Sequence, residues 1–232
     1  PQPGYISGTQ AIGPCYTEGE DPDRLLFPGF QHAYRRMLDA GTLENIRHDD
    51  AHFGLLHDGD WPLKAGQYGA RGYRCYADNE YDTAYAYLQG FAAFGEREYL
   101  DTALRCATHM ADIDCDPETG DLRYHGYGEL AEDHQTHRSQ GDNGHYWSDG
   151  LWLGWLISGD PFMKRAAQAL TNHVIRKIDD SPAALRAQFS LCERNLGWPL
   201  LTVLAGCEAG YKNARSVPFC EAICAYLDHF TK

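Results

Sequence analysis

No run of roughly 18 apolar residues occurs anywhere in the chain, so nothing in it reads as a membrane-spanning helix. There is no GxxxxGK(S/T) and no GxGxxG after a strand, which leaves nucleotide and dinucleotide binding without support. A GxSxG elbow is absent too. None of the eight cysteines forms a CxxC pair. Cys220 and Cys224 sit four apart with no matching histidine pair, so zinc has little support. Positive charge is scarce. Twenty Lys and Arg against 33 Asp and Glu give a formal charge of -13, which repels nucleic acid and anionic membrane surfaces alike. A local cationic pocket remains open, from Lys64, Arg71, Arg74 and Arg138. The chain opens at Pro1 with no initiating methionine and no apolar leader, which predicts a processed or excerpted chain. Its compartment is therefore not legible at the N-terminus; a soluble chain, secreted or periplasmic, is the expectation.

What is present is helical pattern. With 232 residues, 43% of them apolar, the chain can bury a sizeable core, and one domain or one large fragment is expected. Three segments repeat a plan. In Tyr81–Asp114, apolar residues at Tyr81, Ala84, Tyr85, Leu88, Phe91 and Ala92 form one face. Gly95 breaks the pattern, and Leu100, Ala103, Leu104, Ala107 and Met110 restart it. In Tyr146–Asp179, Leu151, Trp152, Trp155 and Leu156 precede a break at Gly159-Asp160-Pro161, with Asp160 placed as N-cap and Pro161 at the first helical position. Met163, Ala167, Leu170, Val174 and Ile178 follow. In Asn195–Phe230, Leu196, Leu200, Val203, Leu204 and Cys207 lead to a break near Gly210, after which Val217, Cys220, Ile223, Cys224, Leu227 and Phe230 complete the pair. Cys106, Cys207 and Cys224 fall at helical core positions and read as buried thiols. A helix around Phe30–Leu38 is the remnant of a fourth unit, and about 1–25 is irregular.

Each unit is thus helix, short glycine turn, helix. The breaks recur at intervals longer than the roughly 34 residues of a tetratricopeptide unit, and the extra length lies between units. Short turns make antiparallel neighbours. The expected fold is all-α: antiparallel helical hairpins forming a complete or partial (α/α) toroid, or alternatively an open solenoid. On this plan the long connections emerge at one end, ahead of the first helix of each pair. Four stretches would then converge: Gly72–Asp82, His134–Asp149, Cys192–Trp198 and His48–Trp61. Function commonly sits on loops held by a rigid scaffold.

In the first stretch Asn79 can cap a helix, with Asp82 as the capping-box acid, while Asp78 and Glu80 suit a saccharide. The second is densest, with His134, His137, Arg138, Asp142, Asn143, His145, Tyr146, Trp147 and Asp149 within a short span. Imidazole titrates near neutrality, and Arg or Asn can stabilise developing negative charge. His134 and His137 could instead hold a metal with Asp133 or Asp142, although the HExxH spacing is missing. Tyr and Trp offer flat faces with polar edges, a match to sugar rings. Trp152 and Trp155 read as packing.

The stretch from Arg74 to Asp114, with the later run from His137 to Leu170, resembles the helical-toroid domain of YetA-like proteins and exo-acting rhamnogalacturonan lyases. The Gly59-Asp60-Trp61 and Asn79-Glu80-Tyr81-Asp82 motifs carry the same likeness, which spans roughly Asp58–Ile178. Members are longer, with flanking β-rich domains, so flanking domains or a second subunit are implied. The resemblance implies an acidic, uronate-containing oligosaccharide or polysaccharide as partner and β-elimination as the reaction. Chemistry and clustering then suggest His145 or His137 as base, Tyr81 or Tyr146 as acid, and Arg138 with Asn79 as carboxylate clamp. Asp78, Trp61, Trp147, Arg74 and Asn195 are the expected substrate contacts. A glycoside hydrolase is the alternative, using two carboxylates from Asp60, Asp78, Glu80 and Asp149. A non-catalytic carbohydrate-binding module is the third reading. No cofactor is called for; calcium is possible, though no EF-hand spacing occurs.

Overall fold

The computed structural model describes Tyr5 and residues 30–41, 82–116, 118–122 and 143–229. Apart from short turns and connections, these residues are helical. The elements are α1 (Phe30–Gly41), α2 (Thr83–Phe94), α3 (Arg97–His109) continued by a π-turn (Met110–Asp114), a 3-10 turn (Asn143–His145), α4 (Asp149–Ser158), α5 (Pro161–Lys177), α6 (Pro182–Leu191), α7 (Arg194–Glu208) and α8 (Ser216–Asp228). Among the described residues the one β-feature is an isolated antiparallel bridge between Cys115 and Leu122. No described helix is long and apolar enough to cross a membrane.

The three expected hairpins are present as α2–α3, α4–α5 and α7–α8. Gly95 and Gly159 end their first helices, and Gly210 follows the Ala209 cap of the third, at φ 74°, 76° and 79°, the left-handed region that glycine enters without a Cβ clash. Asp160 caps α5 as expected, its carboxylate accepting from Phe162 N at 2.8 Å with Pro161 at the first helical position. The same device starts α6, where the Ser181 hydroxyl accepts from Ala184 N ahead of Pro182.

First helices lie against first helices. The Asp82 carboxylate, at the start of α2, accepts from Gly150 N at the start of α4 at 3.0 Å. Ser148, ahead of α4, bonds to Thr202 in α7, and Trp152, a turn into α4, stacks on Tyr211 just beyond α7 at 5.5 Å. Residues advancing from Ser148 into α4 therefore meet residues advancing along α7, so these two helices run parallel, while α2 and α4 meet at their starts. α3 and α5 return antiparallel beside them. The consequence is visible in burial. α4 is buried from Gly150 to Leu153 and on to Gly154, and α2 is buried at Thr83, Ala84, Tyr87, Leu88 and Gly90–Ala93. α5 keeps a single stripe, Met163, Ala166, Ala167, Leu170, Thr171, Val174 and Ile175. Two tryptophans, Trp147 and Trp152, are fully enclosed. At about 1.5–3 kcal/mol for each large apolar side chain, against about 1 kcal/mol for a cap, burial sets the fold and the caps set its boundaries.

Several expected faces shift. The helix before the first break is capped by Asp82 itself, not by Asn79. Leu156 is 50% and Val217 49% exposed, because α4 emerges from the core near its end and α8 turns Ser216, Phe219 and Ile223 inward instead. Cys106 is buried as expected. Cys207 is only half-buried and Cys224 is exposed, since neither lies on the face its helix buries.

Candidate functional site

The start of α4 and the end of α5 share one end of their hairpin, and four polar side chains meet there. The Tyr146 phenol oxygen is 3.1 Å from Asp121 Oδ1, 3.2 Å from His173 Nε2 and 2.6 Å from Lys177 Nζ. His173 Nε2 also lies 3.4 Å from Asp121 Oδ1, and its Nδ1 lies 3.2 Å from the Thr119 carbonyl, which accepts from Arg176 as well. The Lys177 ammonium stands 5.0 Å from the centre of the Tyr146 ring. Tyr146 is itself buried, while Lys177 reaches the surface.

Local structure explains the convergence. His173 and Lys177 are one turn apart on α5 and so share a face. Asp121 arrives on a tight turn: Asp116 Oδ1 accepts from Glu118 N and Thr119 N, and Gly120 N donates to Asp116 O at 2.7 Å. Gly120 has φ +74°, and a Cβ there would stand 2.0 Å from Ala169 O, so the turn presses directly on the α5 backbone. Burial foremost, then the charges of Lys177 and Arg176, hold the His173 imidazole below its ordinary pKa, against Asp121. That direction favours the neutral imidazole.

A second group lies at the joined starts of α2 and α4. Asp82 accepts from Tyr85 N and Gly150 N at 3.0 Å each, so one carboxyl caps its own helix and also its neighbour. Ser148, the residue at the N-cap of α4, spends its hydroxyl on Thr202 O instead. Asp149 lies beside this group. Burial pushes its pKa up to about 7, with repulsion from Asp82 and Glu208 adding to the rise; burial likewise raises Asp82 to about 6, against the backbone donors that favour its anion.

Of the residues expected at the site, Tyr146 is in the four-residue cluster and Asp149 is paired with Asp82. His145 is buried and meets Trp147 edge-on at 5.9 Å, and Trp147 in turn packs on Trp198 at 5.6 Å, so its indole faces the core. Asn195 sits in the first turn of α7, where its Oδ1 would be 3.0 Å from a Cβ at Gly144. His137, Tyr81, Arg138, Glu80, Asn79, Asp78, Trp61 and Arg74 lie outside the described residues, as do Asp60, His134, Asp133 and Asp142. Asp121, His173, Lys177 and the Asp82 carboxyl were not anticipated as site groups. The four-residue spacing of His173 and Lys177, and the Asp116–Asp121 turn composition, were the available signals. No group of three or more His, Cys, Asp or Glu among the described residues could hold a metal.

No family model, no curated protein and no solved structure matches the chain.

Proposed function

We propose that the hairpins form an arc of an (α/α) toroid and that the chain is a polysaccharide lyase, cleaving a uronate-containing glycan by β-elimination at the Tyr146 cluster. The observation that carries this reading is the hydrogen-bonded meeting of Tyr146, His173, Lys177 and Asp121 at the end where the first helices begin. β-Elimination needs three things together. A base takes the C5 proton, a cation offsets the adjacent carboxylate, and an acid protonates the departing O4. The neutral His173 imidazole is the base. The Lys177 ammonium faces the uronate carboxylate, and the Tyr146 phenol gives its proton to O4 as the C4–O bond breaks and the C4–C5 double bond forms. His173 thus takes the role expected of His145 or His137, and Lys177 that of the Arg138–Asn79 clamp. Tyr146 keeps the role of acid.

Incubation with pectic and other uronate-containing glycans should raise ultraviolet absorbance, from the new double bond conjugated to the carboxylate. His173→Gln and Tyr146→Phe should each lower kcat by roughly 100-fold or more. Full turnover in both variants would sink the site assignment. One observation favours a hydrolase as the second reading: the Asp149 carboxyl, raised to about 7, is a proton donor near neutrality beside the carboxylate of Asp82. New reducing ends without the absorbance, abolished in Asp149→Asn, would select it. Glycan binding with neither signal would leave a non-catalytic module.

A further inference from the structure

We infer that the Asp116–Asp121 turn is a positioning element: the Thr119 carbonyl holds the His173 proton on Nδ1 and leaves Nε2 as the open acceptor toward Tyr146. The functional consequence rests on the elimination reading; the placement of the proton does not.

The argument is one of donors and acceptors. A backbone carbonyl only accepts, so the 3.2 Å approach of His173 Nδ1 to Thr119 O requires the proton to be on Nδ1. In a neutral ring Nε2 is then a bare lone pair. Among the described residues two groups face it, the Tyr146 hydroxyl at 3.2 Å and Asp121 Oδ1 at 3.4 Å. Only the hydroxyl brings a proton. Lys177, at 2.6 Å, has donors alone and occupies a lone pair of the phenol oxygen, so the single Tyr146 proton is left for two acceptors, Asp121 Oδ1 at 3.1 Å and His173 Nε2 at 3.2 Å. The opposite tautomer would place N–H against Asp121 and leave Nδ1 and Thr119 O as two acceptors in contact. That arrangement satisfies the carboxylate at the expense of the carbonyl.

The turn is held by its own hydrogen bonds and by close packing on α5. Asp116 O and Oδ1 tie down three amides within it, and Gly120 packs against α5 so closely that no side chain fits. Arg176 donates to the same Thr119 oxygen at 2.9 Å, which fixes the carbonyl from a second side. When substrate draws the Tyr146 hydroxyl away, Nε2 is exposed with its lone pair already directed, and no tautomer exchange is needed before proton abstraction.

The test is a long-range nitrogen–proton correlation spectrum of the whole 15N-labelled protein at neutral pH, with the His173 signals identified among the 11 histidines by their loss in His173→Gln. The expected pattern is the Nδ1–H tautomer. Tyr146→Phe separates the causes. With the carbonyl in control, His173 stays Nδ1–H when the hydroxyl is gone. A shift to Nε2–H, donating to Asp121, would assign control to Tyr146 and overturn the inference. The wild-type spectrum decides without any variant of the turn, since an Nε2–H pattern there overturns the inference outright. Should the Nδ1–H pattern hold while no uronate glycan is cleaved, the positioning stands and the lyase reading falls.

Discussion

At the level of single residues, the most consequential group is Asp149, whose carboxyl is held up by burial and by its neighbours Asp82 and Glu208. The sign of its contribution follows from linkage. A carboxyl whose pKa is higher in the fold than in the unfolded chain supports folding below the unfolded value. It loses that support as pH rises through the folded value. For Asp149 the window runs from about 3.8 to about 7. Asp149→Asn removes the charge that must otherwise be buried next to Asp82. The variant should therefore be more stable than wild type at pH 8, by roughly 2 kcal/mol, and nearly equal to it at pH 4. Thermal melts at the two pH values check this. A variant less stable than wild type at pH 8 would mean that the Asp149 anion has a partner that stabilises it. His173 acts in the other direction: its pKa is lowered, so acidification through that value opposes folding. Under the lyase reading, the acid limb of turnover should lie below the ordinary histidine range for the same reason.

At the level of elements, two glycines of α4 and its turn separate close packing from backbone freedom. A Cβ on Gly150 would stand 2.3 Å from Asp82 Oδ1, 2.6 Å from Ala84 Cβ and 2.8 Å from Tyr85 N, all held by the α2–α4 junction. Gly150→Ala should cost roughly 2–4 kcal/mol, because the first turns of both helices must part. Gly159, which ends α4 at φ +76°, has open space around it, so Gly159→Ala carries only the left-handed backbone penalty, roughly 1 kcal/mol. Chemical denaturation of the two variants gives the comparison, and equal losses would contradict it. Such helix boundaries were legible because their signals are local. Gly95, Gly159, Gly210 and the Asp160-Pro161 pair each announce a break within a few residues. The Ser181-Pro182 start of α6 carries the same local signature. Which face each helix buries was less legible. α2 and the first half of α4 are enclosed on several sides, and periodicity says little about a stretch with no solvent face.

Across the whole molecule, the described residues bring helix starts together, since Asp82 bonds to Gly150 and Gly144 lies against Arg194 and Asn195, while most of the four expected stretches lies outside the described residues. The partners within that end were hidden because they are non-local. Asp121 and His173 come from a turn and a helix end whose sequences look unexceptional, and only packing brings them to Tyr146. The hydroxyl of Thr202 shows how the hairpins hold that geometry. It donates to Tyr146 O at 2.8 Å, while Thr202 O accepts from Ser148 Oγ at 3.2 Å, so one residue of α7 holds the Tyr146 backbone and the Ser148 side chain on either side of Trp147. Thr202→Val keeps the shape, removes the donor and leaves the Tyr146 carbonyl enclosed with one fewer partner. The cost should be roughly 1–3 kcal/mol. Because Tyr146 would then be held less firmly against His173, the variant should also lose turnover in a way that Asp149→Asn, under the lyase reading, does not. Denaturation midpoints together with kcat on a uronate glycan test the two parts. A stability loss with unchanged kcat would show that the α7 hairpin supports the fold and leaves the position of the Tyr146 phenol to α5 and the Asp116–Asp121 turn.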